Sequence, residues 1–278
     1  MRALIIRVFI LSIFCFTTQP SLYAEVKELR YDPWISGPIT IGSALTFGTF
    51  VFFEDDIASK KCRWCDRRAD GSSTLNGFDS SIQKKLVWTN KKSAGHLSHL
   101  SGFVILPLFS AGSFWLISGH ESRWKNFWID LGIVAEAAVT ASLVGQIVQF
   151  AVARERPDSH DLSKAQSAAL PASKNTSFYS GHTTFAFAVA TSTATVATLR
   201  NYPVAPYLWA GGMALAGTTA YFRIAANRHY MTDVLAGAVM GSAIGFSMPY
   251  FLHRKDKPFS WTFAPTSDGW MTMAQWKW

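Results

Sequence analysis

Long apolar stretches, cut at intervals by short polar segments, set the pattern of this chain. Residues 34–53, 97–119, 183–199, 202–222 and 234–252 contain no Asp, Glu, Lys or Arg, and residues 127–153 carry only Asp130 and Glu136. Each block is close to the roughly 20 residues that a helix needs to cross hydrocarbon. Six such blocks predict an all-α fold, a membrane-embedded helical bundle of about six helices. A soluble all-helical protein with buried core helices is the alternative, because several blocks hold many Ser, Thr and Gly. Two polar segments interrupt the series. Residues 54–96 carry turn signals at Gly71-Ser72-Ser73 and Asn76-Gly77 and a short amphipathic helix at 79–88. Residues 154–181 form a loop too long to be a mere link in a compact bundle. After residue 257 the pattern alternates about Asp268-Gly269, which predicts a short C-terminal β-hairpin with Trp270, Trp276 and Trp278 on one face as an interfacial anchor. The expected units are 1–24, a signal peptide or N-terminal anchor; 25–96, a first helix and polar loop; 97–257, the helical core; and 258–278, the aromatic hairpin.

Composition sharpens this. Hydrophobic residues make up 49% of the chain and charged residues 16%, below the quarter or so usual in soluble domains. The net charge is +8, but no basic run interleaves with aromatics, and the basic residues gather at block ends. That argues against nucleic acid and for membrane lipids or an anionic substrate. Arg2 and Arg7, the apolar run 8–16 and Ser21-Leu22-Tyr23-Ala24 read as a secretory signal, with an uncleaved anchor as the alternative. Beyond it Cys62 and Cys65 are the two cysteines. A disulfide in an oxidising compartment is the preferred reading and half of a zinc site the other.

Three polar clusters stand at block ends: Arg154-Glu155-Arg156-Pro157, Ser177 to His182, and Arg223 with His229 and Asp233. Helices in a bundle alternate direction, so all three fall on one face. Ionisable residues so near hydrocarbon are costly and mark functional sites. Arg156 and Arg223 offer forks of N–H donors for a phosphate or carboxylate. Ser180 and Gly181 open a helix whose free amides favour an anion. His229 and Asp233, four apart, share a helix face, so the carboxylate can hold one imidazole nitrogen protonated and leave the other as nucleophile or base. His182 is suited to protonating a leaving oxygen. Arginines beside these imidazoles would repel a cation, so neither a metal nor a cofactor is expected. His96, His99, His120, His160 and His253 read as surface or interfacial residues.

The combination resembles the superfamily of type 2 phosphatidic acid phosphatases, bacterial acid phosphatases and vanadium haloperoxidases, whose signature runs K-x6-R-P, P-S-G-H, S-R-x5-H-x3-D. The chain reads Gln149-x6-Arg156-Pro157, Tyr179-Ser180-Gly181-His182 and Phe222-Arg223-x5-His229-x3-Asp233. The resemblance implies that His229 forms a phosphohistidine, Asp233 orients it and His182 is the general acid. It also implies that Arg156, Arg223, Ser180 and Gly181 hold the phosphate. Gln149 replaces the signature lysine, removing one positive charge, and Arg154 is a candidate to supply it. Tyr179 replaces Pro and Phe222 replaces Ser.

The expected activity is metal-independent hydrolysis of a lipid phosphate or lipid pyrophosphate. A soluble periplasmic acid phosphatase and a non-catalytic lipid-phosphate binder are the alternatives. The resemblance implies an inner-membrane protein whose site faces the periplasm. Arg123, Lys125, Arg200 and the run His253-Arg254-Lys255 on the other face agree with positive-inside bias. A cleaved signal disagrees, since it would start residue 25 outside and carry the Cys loop inward, unless 34–53 is re-entrant.

Overall fold

The structure, a computed structural model, describes residues 26–68, 70–117, 123–160, 162, 166, 169–255, 259–266 and 269–276, the last two stretches as backbone only. The signal or anchor expected at 1–24, and His120, lie outside the described residues. Helix α1 (Pro33–Phe52) starts where Asp32 accepts a hydrogen bond from the Trp34 amide at 3.0 Å and Pro33 takes the first helical position. Helix α2 (Gly77–Leu86) is capped by Asn76, and α3 (Lys91–Ile117), with a π-helical section at Leu100–Ile105, by Asn90. Then come α4 (Arg123–Val152), α5 (Gly181–Leu199), α6 (Ala205–Ala225) and α7 (Met231–Met248), which runs on into a π-helical turn at Pro249–His253.

Four of these helices are candidate membrane spans by length and composition. Pro33–Phe52, Lys91–Ile117, Trp124–Val152 and Met231–His253 are long and apolar enough to cross a membrane. Helices α5 and α6 fall short, and for α5 packing supplies the reason. From Thr183 to Ala197 every residue of α5 except Phe185 and Phe187 is buried, against α3, α4, α6 and α7. A helix wrapped by protein needs no lipid-facing surface, so Ala, Ser and Thr suffice. Helix α1 is the converse. It packs on α4 from outside, with Trp34 at 89% and Leu45 at 68% exposure. As a continuous helix of 20 residues it extends about 30 Å, the thickness of a bilayer's hydrocarbon.

Close approach of α7 to α5 depends on three glycines one turn apart. A Cβ at Gly237 would stand 2.8 Å from the Ser180 carbonyl oxygen and one at Gly245 2.6 Å from that of Ala188; at Gly241 it would overlap the Thr184 carbonyl. Small residues at four-residue spacing let two backbones meet in this way.

The far end of the bundle is tied by buried charge. Arg200 pairs with Asp130 at 2.6 Å, and Tyr202 donates to the same carboxylate at 3.2 Å. His253, expected at the surface, is instead buried between Glu136 at 3.2 Å and the Arg30 carbonyl at 2.9 Å. Residues 26–32 lie on this end, where the Lys27 amide donates to the Arg200 carbonyl and the Arg30 amide to that of His253. At the C-terminus β1 (Phe259–Thr266) and β2 (Gly269–Trp276) pair antiparallel, Phe259 opposite Trp276. The turn at 267–268 and the indole side chains expected to anchor there lie outside the described residues.

Gly241→Ala is expected to lower thermal stability in detergent by about 1–3 kcal/mol through overpacking. Gly42→Ala on α1, with nothing within 4 Å, should change it by no more than about 0.5 kcal/mol. Equal melting temperatures for the two variants would contradict the seam.

Candidate active site

The C-terminal ends of α4 and α6 and the N-terminal ends of α3, α5 and α7 meet at the end of the bundle opposite residues 26–32. Arg154, with no exposed side-chain surface, lies beneath them and commits all five N–H donors. Its Nε and Nη2 donate to Asp66 at 3.1 and 2.9 Å, Nη2 also to Asp79 at 3.1 Å, and Nη1 to Thr232 at 2.7 Å and Asp233 at 2.6 Å. The Trp64 and Tyr230 rings sandwich the guanidinium at 4.1 and 4.2 Å. Burial alone would weaken its hold on the proton, but Asp233, Asp66 and Asp79 outweigh that and raise its pKa. Burial would likewise raise Asp79, yet hydrogen bonds from Thr232, Asn76 and Arg154 keep it below the usual carboxylate range.

These partners come from separate parts of the chain. Asp79 on α2 also accepts from the Thr232 amide at 2.9 Å, satisfying an open N–H in the first turn of α7. The loop that carries Asp66 is closed by the Cys62–Cys65 disulfide. It lies along the end of α4, where the Arg63 amide donates to the Ala153 carbonyl at 3.0 Å and the Glu155 amide to that of Trp64 at 3.1 Å.

Asp233 relays this order to the imidazole. Its Oδ2 accepts from the Ser177 hydroxyl at 2.6 Å and the Tyr230 amide at 3.0 Å. The Ser177 carbonyl then accepts the His229 Nδ1 proton at 2.8 Å. A carbonyl can only accept, so Nδ1 carries hydrogen and Nε2 has the free lone pair. The expected direct contact from Asp233 to His229 is not made, the separation being 3.9 Å; Ser177 stands between them. Burial first, then the charges of Arg223 and Arg156, push the His229 pKa well below its ordinary 6.5.

His229 borders a cavity of about 1130 Å³ that Gln149, Arg156, Gly181, His182 and Arg223 also line. Arg156 donates from Nη2 to Thr176 at 3.0 Å and Arg223 from Nη1 to Ser98 at 3.2 Å, while the Nε of each lacks a protein partner. Burial lowers the Arg156 pKa, and Glu54 and Asp158 oppose the fall. Ser180 does not join them: its amide donates to the Asp233 carbonyl at 3.1 Å and its hydroxyl accepts from Thr183 at 2.9 Å. The open amides at the start of α5 belong instead to Gly181 and the residues just after it, since Thr184 is the first to close a helical bond.

Gln149 donates from Nε2 to the Tyr179 carbonyl at 2.6 Å, so it braces the turn into α5. Arg154 does not replace the missing lysine charge, because its donors are spent below the site. Tyr179 is buried against Gly145 and Phe222 packs edge-on to Trp88, 5.7 Å between ring centroids.

Of the histidines read as surface or interfacial, His96 and His99 line the cavity, and His160 lies under the loop beside it. His99 Nδ1 lies 3.1 Å from His182 Nε2, and His160 reaches Ser73 at 2.9 Å and Glu155 at 3.5 Å. In sequence, Ser98 and His99 fall inside an apolar block, a placement that itself calls for a polar partner. Asp66, Asp79 and Thr232 lay in loops and cap positions with no distinguishing spacing.

Residues 130–257 match the family model described as the PAP2 superfamily, which takes in every residue from Gln149 to Asp233 named above. No curated protein matches the chain. Similar solved structures include a transmembrane PAP2 type phosphatidylglycerolphosphate phosphatase from Bacillus subtilis. It is 15% identical with a TM-score of 0.45, and the match covers 78% of this chain and 94% of that one. Another is Aquifex aeolicus LpxE, 20% identical with a TM-score of 0.33, covering 55% and 92%.

Arg154→Met leaves three carboxylates facing an uncharged side chain and should destabilise the protein by about 3–5 kcal/mol. Arg154→Lys recovers little of this, having three donors in place of five. Thermal unfolding in detergent measures both; a melting temperature unchanged in Arg154→Met would refute the cluster's structural role.

Proposed function

We propose that this chain, with its PAP2 superfamily segment at residues 130–257, is a membrane phosphatase. It hydrolyses a lipid phosphate or lipid pyrophosphate through a phosphohistidine on His229. The observation that carries the reading is the His229 tautomer. With Nδ1 held by the Ser177 carbonyl at 2.8 Å, Nε2 is left as a lone pair beside two guanidinium groups with uncommitted donors.

In the reaction so assigned, the phosphate oxygens lie between Arg156, Arg223 and the open amides at Gly181. Their charge is neutralised without a proton being consumed. The His229 Nε2 lone pair attacks phosphorus opposite the leaving oxygen, and His182 gives that oxygen a proton. Water then displaces the imidazole. Ser177 and Asp233 are positioning residues, and Gln149 positions the Gly181 turn in place of contributing charge.

The substrate class follows from the other wall. Phe47 and Val51 of α1, Phe103 of α3, Val139 of α4 and Phe185 of α5 line the same cavity. A phosphate held at the polar end leaves its substituent against these side chains, which suits an acyl or prenyl chain. The wide apolar exposure, including Leu116 at 78%, favours a membrane-resident enzyme over a soluble acid phosphatase.

We also assign the site face to the periplasmic, oxidising side. The Cys62–Cys65 disulfide lies on that face, and residues 26–32 lie on the other with Lys125, Arg200 and Arg254. Because α1 crosses once, a signal cleaved before residue 25 is incompatible with this orientation.

His229→Ala should lower phosphate release from phosphatidic acid at least about 10³-fold, as loss of a nucleophile does, while EDTA leaves the wild type unchanged. Phosphate release retained in His229→Ala, or lost in EDTA, would sink the mechanism. The pH dependence has a definite sign. A lowered imidazole pKa keeps the neutral nucleophile populated as pH falls, so the limb of kcat/KM due to His229 should lie below pH 6.5. A limb above that value would contradict the burial argument.

A further inference from the structure

The imidazole assigned as general acid is not alone. His99 Nδ1 lies 3.1 Å from His182 Nε2, with the rings tilted at 69° and centroids 4.6 Å apart. Phe103, one turn further along α3, also packs on the His182 ring at 4.7 Å. The helix there is built to aim these groups. Its π-helical section, Leu100–Ile105, begins directly after His99, and such insertions turn side chains off their regular positions and gather at functional sites. The same turn of α3 supplies Ser98, which accepts from Arg223 at 3.2 Å.

The surroundings make this contact consequential. Around His182 the charged groups of the cavity are mostly cationic: Arg156, Arg223 and Arg228, with Glu54 and Asp158 toward Arg156. Nearby positive charge opposes protonation of an imidazole. Among the described residues, His99 Nδ1 is the nitrogen within hydrogen-bond distance of His182 Nε2, either of which can be the donor according to tautomer.

Building on the phosphohistidine reading, we propose that His99 is a positioning residue for leaving-group protonation: its Nδ1 lone pair accepts the Nε2 proton of His182. That bond fixes the ring and stabilises its protonated form, much as a carboxylate does for a catalytic imidazole. The remaining nitrogen, His182 Nδ1, then carries the proton to be delivered. As the His229 Nε2 lone pair forms the N–P bond, the P–O bond breaks with its electron pair on the leaving oxygen. That oxygen takes the Nδ1 proton, and His182 is left neutral with Nε2–H still donating to His99. In the second half-reaction water bonds to phosphorus, the N–P pair returns to His229, and a water proton restores His182 Nδ1.

A role exerted through the acid has a signature that a packing role lacks. It matters for an alkoxide, which needs a proton to depart, and little for an acidic phenol. The full-length protein in detergent is assayed with phosphatidic acid and with p-nitrophenyl phosphate, as wild type, His99→Leu, His99→Asn and His229→Ala. Leu keeps the bulk beside Phe103 but removes the acceptor; Asn places an amide oxygen near the former Nδ1. His99→Leu should lower kcat for phosphatidic acid by about 10- to 100-fold, within the range of general-acid effects, with KM little changed. It should lower kcat for the aryl ester by a clearly smaller factor, and His99→Asn should restore most of the ratio between the two. If His99→Leu does not fold, His99→Gln takes its place, since its amide lies beyond the Nδ1 position and should also lower the ratio. An equal loss on both substrates, or no loss, overturns the proposal. Turnover of both substrates by His229→Ala would instead overturn the phosphohistidine reading on which it rests.

Discussion

A guanidinium that water does not reach, with every donor committed, fixes the working end of this bundle. Removing Arg154 from water is expensive, and the cost is offset only when its carboxylate partners are all in place. Those partners arrive from the disulfide loop, α2 and the first turn of α7, while Arg154 itself ends α4. Four segments separated in sequence therefore reach the site side together. The three-glycine seam brings α7 against α5 closely enough for Asp233 to meet the Ser180 amide and the Ser177 hydroxyl.

This arrangement divides the arginines by task. Arg154 is saturated by acids and neutralised, so it acts as structure. Arg156, half-buried, and Arg223, buried, each keep an Nε without a protein partner. Burial, and after it the charges of Arg223 and Arg156, lower the His229 pKa, and His182 lies 3.1 Å from His99 in the same cavity.

Much of this was legible in the sequence because it repeats with helical period and stops at helix ends. The apolar blocks located the long helices to within a few residues, and helix parity brought Arg156, His182, Arg223 and His229 to one face. Parity carries no information about what lies beneath that face. Asp66 and Asp79 fall in the polar segment 54–96, where acidic residues are ordinary, so nothing marked them as partners of Arg154. The i,i+4 spacing of His229 and Asp233 suggested direct contact, yet His229 precedes the helix. Backbone outside the helix turns its ring toward Ser177 instead. Helix α5 has low hydropathy because it is covered by protein, so its Ala, Ser and Thr need face no lipid. His99 was passed over because a histidine inside an apolar run shows no partner until another helix is placed beside it.

The most direct test of the central claim is covalent trapping. Full-length protein is mixed with phosphatidic acid carrying radiolabelled phosphate, quenched in alkali within the first turnover, and digested for mass spectrometry. The account predicts label on the His229 imidazole, stable to base and released by acid. Label on another residue, or full turnover with no labelled protein at any time, would contradict it.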